Sequence, residues 1–221
     1  MELSGKNAMV VGLGKSGLAV VRFLVGRGAN VRVNDQRSAD ALGDAASEAS
    51  ALGAELILGG HPAEAFDDLE LLVVSPGVPP LAVFDEVERR GVPVISEIEL
   101  AARFIEAPIV AVTGTNGKST VTSLLGEMCA RLGRPVFVGG NLGQPLIDVV
   151  GTDAAGADGV VVVELSSFQL ERVSEMKAHL AILLNVTPDH LDRYPSFEAY
   201  AAAKARIFER QTEDDFAILP A

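Results

Sequence analysis

The chain has 221 residues, enough for one large or two modest domains, and its single cysteine, Cys129, excludes an internal disulfide and a cysteine-based metal cluster. The formal net charge of −12 argues against non-specific binding to nucleic acid, and the apolar runs are too short for a membrane span. The first six residues lack the basic and then apolar layout of a signal peptide, so we expect a cytoplasmic protein.

Short runs rich in Val, Ile and Leu alternate with helical patterns through the first half of the chain. These runs do not alternate apolar with polar residues, which indicates strands buried on both faces of a parallel sheet. The predicted strands are 8–11, 31–34, 55–58, 71–74 and 93–95, and the clearest helices are 16–26 and 84–90. This order predicts an α/β domain with a Rossmann-like parallel sheet covered by helices.

The alternation of predicted strands and helices begins again near Pro108. Predicted strands follow at 109–112, 136–138, 160–163, 180–184 and 216–219, and predicted helices at 118–131, 168–173 and 197–210. We therefore expect a Rossmann-like domain at 1–106, followed by part of a P-loop-type α/β central domain at 107–221. A doubly wound domain that begins there would normally continue with more strands, so we expect the sequence to be the first part of a longer enzyme.

The first predicted strand leads into a G-x-G-x-x-G loop at residues 12–17, and Asp35 follows 18 residues after Gly17. This is the pattern of a dinucleotide site, in which the acidic residue binds ribose. Alone it favours NAD and an oxidoreductase, and the alternative without a ligand is a glycine turn that only packs a helix. The second glycine loop of the chain favours another nucleotide diphosphate, such as a nucleotide-sugar, because a simple dehydrogenase has no need of a second loop.

This second loop follows the strand at 109–112 and consists of Gly114, Thr115, Asn116, Gly117, Lys118, Ser119 and Thr120. Glycines let backbone N–H groups approach phosphate oxygens, Lys118 adds a positive charge, and the Ser119 hydroxyl can reach a bound Mg²⁺. The match to the general P-loop pattern is incomplete, because the pattern has a glycine at the place of Val112. A chance Gly-Lys-Ser sequence after a strand is the alternative interpretation.

Later in the chain, three separate residues have side chains that could act together with such a loop: Glu164, His190 and Lys204. Glu164 ends a strand of four valines and is either a Mg²⁺ ligand in the crevice or a helix-capping or ion-paired carboxylate. His190 follows an apolar strand between Asp189 and Asp192, which makes it a candidate ligand or phosphate contact. Lys204 lies on an alanine-rich helix, where the residues alone favour a solvated lysine.

Together these segments resemble the Mur ligase family, the ATP-dependent amide-bond-forming enzymes of peptidoglycan synthesis. The resemblance spans essentially the whole chain, at residues 12–17, 75–79, 113–120, 139–143, 164–171, 185–194 and 203–209. The phosphate loop with Asn116 is shared across the wider family, which includes folylpolyglutamate synthase. The run Glu-Leu-Ser-Ser-Phe-Gln-Leu-Glu at 164–171 and the Rossmann-like front domain are similar to the D-glutamate-adding branch.

The resemblance implies a role for each matching residue, with catalytic roles for Lys118, His190 and Lys204. The ATP phosphates would be wrapped by Gly114, Thr115, Asn116, Gly117, Lys118, Ser119 and Thr120. Two Mg²⁺ ions would be held by Ser119, Glu164, His190 and Lys204, where Lys204 matches a lysine that CO₂ carbamylates. The UDP-linked substrate would lie against Leu13, Gly14, Lys15, Ser16, Asp35, Gln36 and Gly77, with Asn141 near the reacting carboxylate.

The implied activity is an ATP- and Mg²⁺-dependent ligase that joins D-glutamate to UDP-N-acetylmuramoyl-L-alanine through an acyl phosphate. This would place the protein in cytoplasmic cell-wall biogenesis, and hence in cell shape, cell division and the cell cycle, with no nucleic-acid or membrane partner. Family members carry a further domain for the incoming amino acid, so we expect this chain alone to bind the UDP-substrate and to lack ligase activity. The alternatives are another Mur ligase, a folylpolyglutamate synthase-like ligase, an NAD-binding oxidoreductase and a non-catalytic binding module.

Overall fold

Two five-stranded sheets hold the valine-rich runs, and every strand pair in the described part of the chain is parallel. The structure is a computed structural model that describes residues 1–220. It divides into one compact unit at Met1–Leu100 and a second that begins at Ala101. The parallel α/β class predicted from the sequence is confirmed for both units, and the predicted boundary at residue 106 stays a prediction.

The first unit is built around a central strand whose residues Ala8 to Val11 are completely buried. The strands are β1 (Asn7–Val11), β2 (Asn30–Asp35), β3 (Glu55–Leu58), β4 (Leu71–Val74) and β5 (Val94–Ser96), in the order β3-β2-β1-β4-β5. The helices are α1 (Lys15–Gly26), α2 (Ala39–Leu42), α3 (Asp44–Ala51), α4 (Ala82–Arg89) and α5 (Glu97–Ala102), which ends just beyond this unit.

The second unit repeats this plan around a valine strand that is also buried along its length. Its strands are β6 (Ile109–Thr113), β7 (Val136–Gly140), β8 (Val160–Glu164), β9 (Leu180–Leu183) and β10 (Phe216–Ile218), in the order β10-β9-β6-β8-β7. Its helices are α6 (Lys118–Ala130), α7 (Ser167–Leu170) and α8 (Phe197–Ala205). Within residues 1–220 no helix combines the length and apolar character needed to cross a membrane.

The strand order places each glycine loop at a point where ligands bind in this class of fold. In the first sheet β1 lies between β2 and β4, and in the second β6 lies between β9 and β8. The chain thus winds to both sides of the strand that precedes each loop, and the crevice outside the carboxyl ends of such strands is the usual ligand site. Each glycine loop therefore follows a strand, as predicted, and the structure shows that this strand is the central one of its sheet.

Several predicted helices differ from the structure at their ends. The helix predicted at 168–173 is the single turn α7, and the one predicted at 197–210 ends at Ala205 and continues as a 3₁₀ turn, Arg206–Phe208. Arg206 explains the short α7, because its guanidinium donates hydrogen bonds to the carbonyls of Leu170 and Val173 and satisfies the chain just after that turn. The helices α2, α3 and α5 were not predicted from the sequence.

Candidate functional site

The second glycine loop, residues 114–120, is called the phosphate loop below. It joins β6 directly to α6, which begins at Lys118. Gly117 precedes the helix with φ +84°, a left-handed backbone that only glycine adopts without strain. The first helical hydrogen bond runs from the Val121 N–H to the Gly117 carbonyl, and no side chain caps the helix. The N–H groups of the first turn are therefore available, and the helix dipole favours an anion there.

Asn185, just after β9, holds the loop in shape. Its side-chain oxygen accepts hydrogen bonds from the N–H groups of Thr115 (3.1 Å) and Asn116 (2.9 Å). Its amide nitrogen donates to the Asn116 carbonyl at 2.9 Å. No separate role was predicted for Asn185, although a polar residue at the carboxyl end of a parallel strand is a usable signal.

Glu164, Ser119 and Asn141 meet at the end of β8. The Ser119 hydroxyl donates to one carboxylate oxygen of Glu164 at 2.7 Å, and the Asn141 amide donates to the other at 2.6 Å. Glu164 is 2% exposed, and both of these hydrogen-bond partners are neutral groups. A buried carboxylate held in this way is a suitable ligand for a divalent cation, since Mg²⁺ prefers carboxylate and hydroxyl oxygens.

Lys204 is buried, at 2% exposure, so the interpretation as a solvated helical lysine is wrong. Its ammonium donates to the Gly114 carbonyl at 2.8 Å and lies 4.7 Å from the centre of the Tyr200 ring. The Tyr200 hydroxyl is in turn 3.2 Å from the Thr115 hydroxyl. Burial, with a smaller contribution from the charge of Lys118, lowers the pKa of Lys204 to about 8. The fold therefore carries this lysine from a distant helix into the phosphate loop.

Lys118 and His190 occupy the rim of the same region. The Lys118 ammonium folds back onto the Thr115 carbonyl at 2.9 Å. The His190 side chain is 44% exposed, and its ring lies 4.8 Å from that of Phe168 and 6.0 Å from that of Tyr200, measured between ring centres. Within residues 1–220 no hydrogen bond joins His190 to Glu164, and no group of three His, Cys, Asp or Glu side chains is arranged for a metal ion.

In the first unit a side-chain hydrogen bond and a close helix contact hold the glycine loop in place. The Ser75 hydroxyl donates to the Gly12 carbonyl at 2.7 Å, which ties the loop to the segment after β4. A Cβ atom built on Gly17 would lie only 1.9 Å from that same carbonyl oxygen. The third glycine of the motif therefore allows α1 to pack closely against β1.

Asp35 is also drawn into this loop. One carboxylate oxygen accepts from the Leu13 N–H at 2.7 Å, and the Arg37 guanidinium donates to both oxygens, at 3.0 and 2.7 Å. Burial acts to raise the pKa of Asp35, but the hydrogen bonds from Arg37 and Leu13 outweigh it and lower this pKa to about 2. Asp35 thus fixes the glycine loop in the described structure, in addition to the substrate contact predicted for it.

The other predicted substrate residues differ in their accessibility. Leu13 is 1% exposed and packs inside the unit. Ser16 is half-buried, and the exposed residues of the set are Gly14, Lys15, Gln36 and Gly77. Their predicted contacts with the UDP-substrate stay predictions.

We expect Asp35→Asn to lower the free energy of unfolding at pH 7 by about 2 kcal/mol, because the folded-state pKa is about 2 against an ordinary value of 3.8. A lowered carboxyl pKa stabilises the folded chain above pH 3.8, and this stabilisation is lost as the pH falls toward 2. Urea denaturation at pH 7, 4 and 3 should show wild type and variant converging. Asp67→Asn, which breaks the exposed pair with Arg90, is the control and should cost less than about 0.5 kcal/mol. A difference that does not change with pH would contradict the assignment.

The two units thus define an α/β protein with two loops of the type that binds nucleotide phosphates. Comparison with protein families matches residues 6–96 to the Mur ligase MurD-like N-terminal domain and residues 112–221 to the Mur ligase middle domain. The chain therefore belongs to the Mur ligase family and carries its N-terminal and middle domains.

The chain is similar to several curated proteins that share the name UDP-N-acetylmuramoylalanine--D-glutamate ligase. A UDP-N-acetylmuramoylalanine--D-glutamate ligase of Desulfosudis oleivorans is 51% identical over 99% of this chain, and one of Geobacter sp. is 52% identical over 99%. In both cases the match covers 48% of the relative. The chain therefore spans about half the length of the curated relatives it matches.

Among solved structures, UDP-N-acetylmuramate:L-alanyl-gamma-D-glutamyl-meso-diaminopimelate ligase from Neisseria meningitides superimposes with a TM-score of 0.61. The match covers 97% of this chain and 71% of that chain at 18% sequence identity. At this identity the likeness establishes the fold and nothing further.

Proposed function

We propose that this chain is the nucleotide-handling part of an ATP-dependent ligase that adds D-glutamate to UDP-N-acetylmuramoyl-L-alanine in peptidoglycan synthesis. The observation that carries the proposal is the group formed by Glu164, Ser119 and Asn141 at the phosphate loop, in a chain about 50% identical to ligases of that name. The matched MurD-like N-terminal domain favours a UDP-substrate over NAD at the first glycine loop. The expected location is the cytoplasm, where the nucleotide-linked substrate would be found.

The donor groups of the second unit fit Mg²⁺ and ATP. The carboxylate of Glu164 and the hydroxyl of Ser119 are oxygen ligands of the kind that Mg²⁺ takes alongside phosphate oxygens. Lys118 and the first turn of α6 supply positive charge and N–H donors for the phosphates. His190 and Lys204 would complete the metal ligands, and two ions are proposed on the family pattern.

Lys204 needs a change of charge to serve as such a ligand. Reaction of its amine with CO₂, with loss of a proton, would give a carbamate, which binds cations as a carboxylate does. The buried position of Lys204 beside the Gly114 carbonyl supports this modification, because a carbamate there would be shielded from water.

The proposed reaction has two steps. The terminal carboxylate oxygen of the UDP-substrate bonds to the γ-phosphorus of ATP as the bond to the bridging oxygen breaks, which releases ADP and leaves an acyl phosphate. The D-glutamate amine then attacks the acyl carbon, phosphate leaves, and the nitrogen loses a proton to give the amide.

The residues of this chain would act by position and charge. Bound Mg²⁺ would supply charge neutralisation as two anions approach each other. Lys118 would hold the γ-phosphoryl group, Asn141 would orient the reacting carboxylate, and Asn185 would keep the loop N–H groups fixed.

Titration of the 221-residue chain with UDP-N-acetylmuramoyl-L-alanine and with NADH, followed by calorimetry, tests the proposal. We expect binding of the UDP-substrate, no binding of NADH, and no phosphate release from ATP when D-glutamate is added. Asp35→Ala should weaken UDP-substrate binding by about tenfold or more, because it releases the Leu13 N–H and the glycine loop.

Glu55→Gln is the matched control, because Glu55 begins β3 at the opposite end from Leu58, which pairs with Asp35. This variant should bind the UDP-substrate as wild type does. Tighter binding of NADH than of the UDP-substrate would overturn the assignment to a ligase. Ligase activity of the purified chain would overturn the expectation that it is inactive alone.

A further inference from the structure

We infer that Glu171 is a positioning residue that holds His190 at the phosphate-loop site through Arg193 and Tyr194. The inference rests on the proposed function for the importance of His190, but the contacts that carry it are independent of any bound ligand. Nothing in the sequence pattern gave Glu171 a role beyond its place in the run at 164–171.

The backbone of His190 is in an unusual conformation. Its φ is +52°, and among residues 1–220 only Asp68 is another non-glycine residue with positive φ. A side chain disfavours this left-handed region, so the surrounding structure must maintain it. The His190 carbonyl accepts hydrogen bonds from the N–H groups of Arg193 and Tyr194, both at 3.0 Å. The residue is therefore held by the tight turn that follows it.

The side chains of these same two residues converge on Glu171, which follows the last residue of α7. The Arg193 guanidinium donates to one carboxylate oxygen at 3.1 Å, and the Tyr194 hydroxyl donates to the other. The Arg193 guanidinium also lies 4.2 Å from the centre of the Phe168 ring, and the Tyr194 ring stacks on the same ring at 5.9 Å. Both residues that fix the His190 backbone are therefore fixed themselves by Glu171.

The imidazole of His190 is placed by the same elements. It contacts Phe168, which is one helical turn before Glu171, and Tyr200, whose hydroxyl reaches Thr115 in the phosphate loop. Loss of the Glu171 side chain would remove the hydrogen-bond acceptor of both Arg193 and Tyr194 at once. The His190 ring, which is 44% exposed, would then lose its fixed position beside the loop.

Nuclear magnetic resonance of the chain labelled at histidine rings tests this inference, since the sequence contains three histidines whose signals can be assigned separately. In the metal-free wild type we expect nuclear Overhauser effects from the His190 ring to the rings of Phe168 and Tyr200. In Glu171→Ala, which removes the acceptor of both side chains, these effects should disappear while the chain stays folded by circular dichroism. Addition of Mn²⁺ with ATP should broaden the His190 signal more than the other two in the wild type and lose this selectivity in the variant.

Glu175→Ala is the matched control, because it removes a carboxylate from another Glu–Arg pair of the same unit, with Arg103 at 3.6 Å. It should leave the His190 signals and the Mn²⁺ broadening unchanged, whereas Glu171→Ala should weaken Mn²⁺-dependent ATP binding about tenfold or more. If Glu171→Ala does not fold, Tyr194→Phe is tested by the same signals, because it keeps the stacking on Phe168 and removes the hydrogen bond to Glu171.

Retention of the His190 ring contacts in a folded variant without the carboxylate or without the Tyr194 hydroxyl would overturn the inference. Loss of those contacts in the variant, combined with no Mn²⁺ broadening in the wild type, would support the positioning role of Glu171 and contradict the metal site in the proposed function.

Discussion

Replacement of Gly17 by alanine is expected to destabilise the first unit by on the order of 3–5 kcal/mol, at the upper end of single substitutions. A Cβ atom at this position would lie 1.9 Å from the Gly12 carbonyl oxygen and 2.9 Å from the Ser75 hydroxyl. The nearer atom belongs to the backbone and cannot rotate away, so α1 would have to move off β1. The Ser75 hydrogen bond to Gly12 would break in the process.

The measurement has to resolve the two units, because a chain with two compact parts need not unfold in one step. Hydrogen–deuterium exchange of Gly17→Ala should show faster exchange in peptides from residues 1–100, with little change in those from the second unit. Gly26→Ala is the matched control, since Gly26 is the last residue of the same helix and a Cβ there has no heavy atom within 4 Å. This control should cost nothing, because alanine favours a helix more than glycine does.

A Gly17→Ala chain with protection within about 1 kcal/mol of wild type would show that the loop and helix are less closely packed than the structure indicates. The presence of glycine at position 17 would then have to be explained by contact with the bound ligand and not by helix packing.

The sheets were predictable because their strands are buried on both faces. Runs such as Val160 to Val163 contain only β-branched apolar residues, and this pattern has few alternatives to a central parallel strand. The helices α2 and α3 were missed because they are rich in Ala, Ser and acidic residues and carry little apolar periodicity. Of the eight residues of α3, only Ala46 and Ala49 are buried. Such helices are fixed by packing and by the Ser38 cap rather than by pattern.

The candidate site shows the same division between local and long-range information. The phosphate loop was predictable, because its glycines, Lys118 and Ser119 adjoin one another in the sequence. The burial of Lys204 was not, because its partner, the Gly114 carbonyl, is 90 residues away and an alanine-rich helix gives no sign of which face is covered. The Asn185 side chain likewise accepts a hydrogen bond from the N–H group of Asn116, which is 69 residues away in the sequence. These contacts exist only after the parallel strands bring their carboxyl ends to one edge.

Replacement of Glu164 by glutamine is expected to lower the affinity of the chain for ATP in the presence of Mg²⁺ by about 10- to 100-fold. The substitution preserves the size of the side chain and removes its charge. The introduced oxygen can still accept from the Asn141 amide, and the introduced NH₂ can turn toward the Ser119 hydroxyl, which is able to accept. The site should therefore keep its shape, and the loss should reflect the missing negative charge.

Isothermal titration with ATP in Mg²⁺ and again in EDTA separates the charge from the shape. Because Glu164 is proposed to act through the metal, wild type and Glu164→Gln should bind ATP equally weakly in EDTA and differ only when Mg²⁺ is present. Glu127→Gln, on an exposed position of α6, is the matched control and should behave as wild type under both conditions. An equal loss of affinity with and without Mg²⁺ would mean that Glu164 acts through its hydrogen bonds to Ser119 and Asn141 alone. In that case the buried carboxylate would be a structural brace of the phosphate loop, and the metal ligands would have to be sought elsewhere.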